Sequence, residues 1–151
     1  MLSSPALGIT AQVPKLKETL AHVALRFLPT LTMHNEIKYE DLTRDEEMLK
    51  SYRTDTLRHD KISPGLFLSM VESFPLAIEQ AGEIRGPVLM QISGDDRLVS
   101  AQASREFFER LPNKKSQLLV YPESLHEVYN DLDRDHVIAD LKKFMNSYLG
   151  E

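Results

Sequence analysis

The sequence predicts an α/β fold in which short parallel strands are flanked by helices. Two short apolar runs, residues 88–92 and 117–121, have the length and composition of buried strands in a parallel sheet. Each run is followed by an ionisable residue and then by a helical pattern of apolar residues. Sites in such folds lie at the carboxyl ends of the strands, so both runs indicate one site at one sheet edge.

The first of these units ends its strand just before Gly94, a residue that permits a sharp exit of the chain. Asp95 and Asp96 therefore follow at the carboxyl end of the strand. Ser100 is expected to cap the next helix. That helix has an apolar stripe formed by Ala103, Phe107 and Leu111.

The second unit repeats this design. Pro122 ends the strand over residues 117–121, and His126 lies in the loop that follows. A final helix begins near Asp133, whose charge suits the helix dipole, and Gly150 is expected as its C-cap. Its apolar positions are Val137, Leu141, Phe144 and Tyr148.

The chain before these units begins with a very short strand over residues 1–5 that breaks at Pro5. A helix is then expected to start at Pro14 and to end at Pro29. Its predicted apolar face consists of Leu16, Leu20, Val23 and Phe27.

Residues 30–41 and 55–61 show no period and predict loops. Between them, Thr43 and Glu46 form a capping-box pattern that predicts a short helix through Tyr52.

A further helix is expected to begin at Ser63 and Pro64, a cap followed by proline. Pro75 should kink or split it near Val71, because proline removes a donor and clashes with the preceding turn. Its broad apolar face is formed by Phe67, Met70, Val71, Phe74 and Ile78. Three helical pieces without an intervening strand, inserted between two strands of one sheet, indicate a lid.

An aspartate followed by a histidine about thirty positions later has the order of the last two members of a Ser-Asp-His triad. Ser93-Gly94-Asp95-Asp96-Arg97-Leu98-Val99 and Tyr121-Pro122-Glu123-Ser124-Leu125-His126-Glu127 resemble the acid and histidine motifs of the monoacylglycerol lipase and lysophospholipase group of α/β-hydrolases. Leu2-Ser3-Ser4-Pro5-Ala6 resembles the strand after the nucleophile helix of that group, and residues 49–57 resemble part of its lid. The likeness extends over nearly the whole chain.

The resemblance implies the C-terminal part of an α/β-hydrolase that carries a helical lid insertion. Residues 1–10 would supply a strand of the hydrolase core, residues 11–85 the lid, and residues 86–151 the core with the triad acid and histidine. No Gly-x-Ser-x-Gly motif and no His-Gly oxyanion-loop motif occurs in the 151 residues. In the family both motifs lie in the N-terminal half, so we expect this chain to pair with that half or with a second copy of itself.

The resemblance assigns Asp96 as the triad acid, because the family places this acid before a basic or polar residue and an apolar pair. His126 would be the general base and later the acid. Asp95 is the rejected neighbour. The alternatives are that the two aspartates serve only as turn residues and that His126 is a solvent-facing loop residue.

The apolar lid residues Phe67, Met70 and Phe74 are candidates for an acyl pocket. The alternative is ordinary packing of the lid on the body of the protein. The remaining histidines, expected on the surface, are His22, His34, His59 and His136.

Composition excludes several functions. The formal charge of −5 and a pI near 5.6 leave no basic stripe for nucleic acid. The absence of cysteine excludes disulfides and thiolate chemistry. No metal-ligand spacing and no cofactor motif is found, and the lid lacks the lysine-rich face of a membrane-binding helix, so membrane contact is expected to be peripheral at most. A cytoplasmic protein is predicted.

The resemblance implies a serine hydrolase of the lysophospholipase or monoacylglycerol lipase type. It would act on an acyl-ester lipid through an acyl-enzyme, with this chain supplying acid, base and lid but no nucleophile. One alternative is a non-catalytic half that binds a partner or dimerises. A peptidase of the same fold is another, because pocket shape decides between ester and peptide.

Overall fold

The computed structural model describes residues 1–10, 15–28 and 31–149. Five strands are present in this part of the chain: β1 (Leu2–Ser3), β2 (Met33–His34), β3 (Lys61–Ile62), β4 (Leu89–Ser93) and β5 (Gln117–Tyr121). The α-helices of the same ranges are α1 (Lys15–Phe27), α2 (Glu46–Thr54), α3 (Pro64–Gln80), α4 (Ala101–Glu109) and α5 (Arg134–Leu149). No described helix is both long enough and apolar enough to cross a bilayer.

The main sheet is parallel and has the strand order β1-β4-β5. All five residues of β4 are buried, as expected for a central strand, and the strand begins one residue later than predicted. Met90 and Ile92 face a core that includes Phe107 of α4. On the opposite face, the buried Gln91 side chain donates hydrogen bonds to the Tyr121 hydroxyl and to the Val137 carbonyl of α5.

The helices after β4 and β5 form as the sequence predicts. Ser100 caps α4, where its hydroxyl accepts a hydrogen bond from the Ala103 amide at 3.1 Å. Phe107 and Leu111 are buried in the core, and Val137 is buried in the first turn of α5. The expected C-cap of α5 at residue 150 lies outside the described residues.

The segment between β1 and β4 contains an antiparallel ribbon that the sequence does not predict. Met33 pairs with Ile62, and His34 pairs with Lys61. The expectation of a lid without strands is therefore wrong. Strands of two residues are too short for a period-2 pattern, which explains why the sequence shows no sign of them.

The capping box predicted at Thr43 and Glu46 does not form. Asp45 is the N-cap of α2, and its carboxylate accepts hydrogen bonds from the amides of Glu47 and Met48. The Thr43 hydroxyl instead donates to the Asn130 carbonyl at 2.7 Å. Thr43, which the local pattern predicts as the cap, thus makes a tertiary hydrogen bond to a distant residue instead.

Helix α3 begins at the predicted Ser63 cap and runs through Pro75 without a break. A split near Val71 is therefore wrong, and a kink there stays a prediction. Leu68 and Phe74 are buried before the proline, and Ala77 and Ile78 pack against the core after it, so both parts of the helix are held in place. Tertiary packing here outweighs the local cost of the missing amide.

Helix α1 presents its predicted apolar face to solvent, contrary to expectation. Leu20, Val23 and Phe27 are 57 %, 51 % and 70 % exposed, whereas the small Ala21 is buried. Helix α1 contacts α3, and Leu25 lies at this contact, where its Cδ1 would be 3.2 Å from a Cβ atom on Gly65. The predicted ends of the helix at residues 14 and 29 lie outside the described residues, and so does the side chain of Leu16.

Candidate active site

Asp96 lies in the turn after β4 and is held there by the backbone. Its Oδ1 accepts hydrogen bonds from the amides of Leu98 and Val99, both at 2.9 Å. Its Oδ2 lies 2.9 Å from Nδ1 of His126, which is in the loop after β5. The Asp96 side chain is 2 % exposed and that of His126 is 24 % exposed. The two residues meet at one sheet edge, as the sequence predicts.

Asp95 does not take part in this contact. Its side chain is 56 % exposed and bonds to the Arg97 guanidinium at 3.1 Å. Arg97 also reaches Asp41 at 3.4 Å, which links the turn to the segment before α2. Of the two adjacent aspartates, only Asp96 faces the histidine.

The two loops touch because Gly94 has no side chain. A Cβ atom on Gly94 would lie 2.5 Å from Cα of Pro122, a distance that real structures exclude. The Gly94 amide donates to the Tyr121 carbonyl, and the buried Ser93 hydroxyl donates to the Ser124 carbonyl at 2.5 Å. The glycine is thus required by a close approach of two chains, since its φ is not in the left-handed region.

The histidine loop is fixed from within by Asp131, whose side chain is fully buried. The carboxylate accepts hydrogen bonds from the amides of Leu125 at 2.6 Å, Leu132 at 2.8 Å and Arg44 at 2.9 Å. Burial acts to raise the pKa of Asp131, but these amides and the Arg44 guanidinium outweigh it and lower that pKa. The residue before His126 is therefore anchored to an ionised carboxylate.

Residues 42–45 join the segment between β1 and β4 to this loop, and we term them the lid latch after the lid predicted for that segment. The Leu42 carbonyl accepts from the Glu127 amide at 2.8 Å, and Thr43 bonds to Asn130 as described above. The Arg44 guanidinium bridges Asp131 and Asp133, and the Asp45 carboxylate bonds to the Arg134 guanidinium at 2.7 Å. The latch could not be predicted from the sequence, because partners more than seventy positions apart leave no periodic signal.

Glu127, next to His126, joins three lid and loop residues. Its Oε2 accepts from the Tyr52 hydroxyl at 2.5 Å and from the Asn130 amide group at 2.7 Å. Its Oε1 accepts from the Arg58 guanidinium at 3.4 Å, and this guanidinium lies 3.7 Å from the centre of the Tyr52 ring. Burial acts to raise the pKa of Glu127, but these donors outweigh it and lower that pKa.

A cavity of about 490 Å³ opens beside His126. Its other lining residues are His34, Asn35, Ile37, Tyr39, Leu42, Leu57, Arg58, His59, Asp60, Leu98 and Glu127. Most of this wall comes from residues 34–42 and 57–60, which the sequence predicts only as loops. Their lack of periodicity left no signal by which the cavity wall could be found.

The predicted acyl-pocket residues lie elsewhere, on α3. Phe74 is buried in α3, Phe67 and Met70 are half-buried there, and none of the three lines the cavity. Their role as an acyl pocket stays a prediction. In the described ranges no group of three histidine, aspartate or glutamate side chains is placed to hold a metal ion.

Comparison with protein families gives a match over residues 1–133 to the family described as serine aminopeptidase, S33. The chain is 25 % identical over 150 residues to a monoacylglycerol lipase of Mycolicibacterium smegmatis, covering 99 % of this chain and 53 % of that protein. It is 22 % identical over 150 residues to the phospholipase YtpA of Bacillus subtilis, covering 99 % of this chain and 58 % of that protein.

Among solved structures, a monoacylglycerol lipase of Paleococcus ferrophilus superposes with a TM-score of 0.87 at 29 % identity. The match covers 96 % of this chain and 57 % of that one. The chain therefore spans just over half the length of these three proteins. The superposition confirms the predicted α/β architecture of parallel strands and flanking helices.

Proposed function

We propose that this chain supplies the acid, the base and the lid of a serine esterase acting on acyl-ester lipids. The chain belongs to the serine aminopeptidase S33 family of α/β-hydrolases. Asp96 is the triad acid and His126 the general base. The nucleophilic serine and the oxyanion donors come from outside these 151 residues, which contain no Gly-x-Ser-x-Gly motif.

The contact between Asp96 and His126 carries this proposal. Oδ1 of Asp96 accepts hydrogen bonds from two backbone amides, as an ionised carboxylate does. Oδ2 is therefore also an acceptor, and the proton of the 2.9 Å contact belongs to Nδ1 of His126. That tautomer leaves the lone pair of Nε2 free to accept a proton from a serine hydroxyl. A solvent-facing loop histidine would not need a buried carboxylate partner.

The chemistry then follows from this tautomer. The serine oxygen attacks the ester carbonyl as its proton moves to Nε2 of His126, and the imidazolium is stabilised by the Asp96 carboxylate. The imidazolium next gives this proton to the leaving alkoxide, which departs as an alcohol. Water repeats the sequence on the acyl-enzyme and releases the carboxylic acid. Relatives named monoacylglycerol lipase and phospholipase support a lipid ester as substrate.

Substitutions in the complete enzyme test the assignment. Asp96→Asn should lower kcat about 10⁴-fold, because an amide at this position favours the wrong imidazole tautomer. Asp95→Asn is the matched control and should change kcat little, since its exposed side chain does not reach the histidine. His126→Ala should be at least as damaging as Asp96→Asn. Equal losses from both aspartate variants would contradict the assignment of Asp96.

A peptidase is the second candidate, because the description of the matching family names an aminopeptidase. The same triad cleaves esters and amides, so the pocket decides between them. Parallel assays on a monoacylglycerol and on aminoacyl anilides separate the two functions. Hydrolysis of the anilide at the higher kcat/KM would favour the peptidase.

A further inference from the structure

We propose that Glu127 is a specificity-determining residue: by neutralising Arg58 beside His126, it keeps phosphate-bearing leaving groups out of the cavity and reserves it for uncharged alcohols. This inference rests on the proposed esterase function for its meaning, but its geometric basis is independent of catalysis. The cavity next to a general base is where the leaving group of an ester must lie, because that base protonates it.

Arg58 is the cation that an anionic substrate would meet in this cavity. Among the described residues that line it, Arg58 is the one lysine or arginine. Its guanidinium is already engaged, with Glu127 Oε1 at 3.4 Å, Asp55 Oδ2 at 3.9 Å and the Tyr52 ring on one face. Both its charge and much of its donor capacity are therefore directed toward the protein.

The remaining charges of the lining also disfavour an anion. The described wall has two carboxylates, Asp60 and Glu127, against the single guanidinium of Arg58. Asp60 is half-exposed and pairs with the exposed imidazole of His34 at 3.1 Å. A phosphate entering the cavity would meet two carboxylates and a cation that is already paired. Hydroxyl groups of a neutral alcohol meet no such repulsion and find both donors and acceptors.

Glu127 is held in its ionised form by its surroundings. The side chain is only 23 % exposed, which acts to raise its pKa, but Tyr52, Asn130 and Arg58 together lower that pKa. The charge is thus present at neutral pH. Because Tyr52 and Asn130 bind Oε2 while Arg58 binds Oε1, the scaffolding and neutralising contacts use different oxygens.

This separation gives a discriminating variant. In Glu127→Gln the amide oxygen can take the place of Oε2 and keep the bonds from Tyr52 and Asn130. The amide nitrogen then faces Arg58, which loses its partner and gains free donors. Glu106→Gln on α4 is the matched control, since it removes one charge from an exposed pair with Arg110 at 2.8 Å and Glu106 does not line the cavity.

The test is binding of inorganic phosphate to the 151-residue chain, followed by NMR at constant ionic strength. Wild type and Glu106→Gln should show no saturable binding at the cavity. Glu127→Gln should bind saturably, with a Kd at least about tenfold below the highest phosphate concentration at which wild type shows no saturation, and with shifts at Arg58, His59 and His126. The double variant Glu127→Gln with Arg58→Gln should lose this binding. An increase that survives removal of Arg58 would overturn the proposal.

Saturable phosphate binding by the wild type at these residues would also overturn it, as would a folded Glu127→Gln that binds no better than wild type. Should the glutamine variant lose its dispersed amide spectrum, Glu127→Ala removes the same charge and carries the same expectation. No outcome depends on a nucleophile. If the complete enzyme proved inactive on esters, the proposed function would fail while this binding result stood on its own.

Discussion

Replacing Asp131 by asparagine should destabilise the chain strongly although it removes no atom from the sheet or its core. The carboxylate is fully buried, and its two oxygens accept hydrogen bonds from three backbone amides and from Nε of Arg44. An asparagine oxygen at Oδ1 keeps the amides of Arg44 and Leu132. Its NH₂ group then faces the amide of Leu125, and two donors meet without an acceptor.

The expected magnitude follows from these contacts. An unsatisfied buried amide costs about 1–3 kcal/mol. Loss of the charged partner of Arg44 adds about 1 kcal/mol, since Arg44 keeps Asp133 at 2.7 Å. The sum of about 2–4 kcal/mol corresponds to a fall in Tm of roughly 4–16 °C for a chain of this length. Urea unfolding followed by circular dichroism measures the difference directly.

The effect should also depend on pH in a defined direction. The pKa of Asp131 is lowered in the folded state, so its stabilisation is complete above the unfolded pKa of about 3.9 and is lost as pH falls through the folded value. The difference between wild type and Asp131→Asn should be constant between about pH 5 and 8 and should shrink below about pH 4.

Asp133→Asn is the matched control for this experiment. Its carboxylate binds the same arginine but is 43 % exposed, and an asparagine oxygen at Oδ2 can still accept from the Ser124 hydroxyl, so the loss should be no more than about 1 kcal/mol. Equal destabilisation by both variants, or a difference for Asp131→Asn that widens on acidification, would refute the argument from burial and pairing.

Three further outcomes follow from the fold and the proposal. Gly94→Ala should destabilise by at least about 1–3 kcal/mol, because its Cβ would lie 2.5 Å from Cα of Pro122, whereas Gly86→Ala, with open space at that position, should change the unfolding midpoint little. The chain by itself should hydrolyse nitrophenyl esters no faster than buffer, and serine labelling by a fluorophosphonate probe would contradict this. The outer edge of β1 faces no strand among the described residues, so sedimentation at micromolar concentration should show association with an N-terminal half or with a second copy, and a stable monomer with weak hydrophobic dye binding would count against it.

The parts of the fold that the sequence predicts are those in which one short segment carries the information. The two strand units are complete within about thirty residues each, with apolar runs, the Ser100 cap and amphipathic helices. The contact between Asp96 and His126 follows from them, because parallel neighbouring strands end at the same edge. Gly94 was expected for its conformational freedom, but its role is to let Pro122 approach.

The parts that the sequence does not predict depend on distant partners. Thr43 has the local pattern of a cap and bonds instead to Asn130. The lid latch and the Glu127 contacts consist of polar pairs whose members lie far apart in the chain, so neither has a period or a motif. The prediction of which face of α1 is buried was wrong for a similar reason. The sequence shows which residues are apolar, but tertiary packing decides which of them contact a neighbour.

The lid latch has a consequence for building chimaeras between members of the family. A chimaera that tests the predicted lid would exchange the whole segment between β1 and β4. Such a graft, however, would replace Arg44 and Asp45 while retaining Asp131 and Arg134, and a donor segment without an arginine at the position of Arg44 would leave a buried acid without its cation. Crossover points placed to keep residues 42–58 with the recipient, and to exchange only the flanking helices α1 and α3, would preserve the support of the histidine loop.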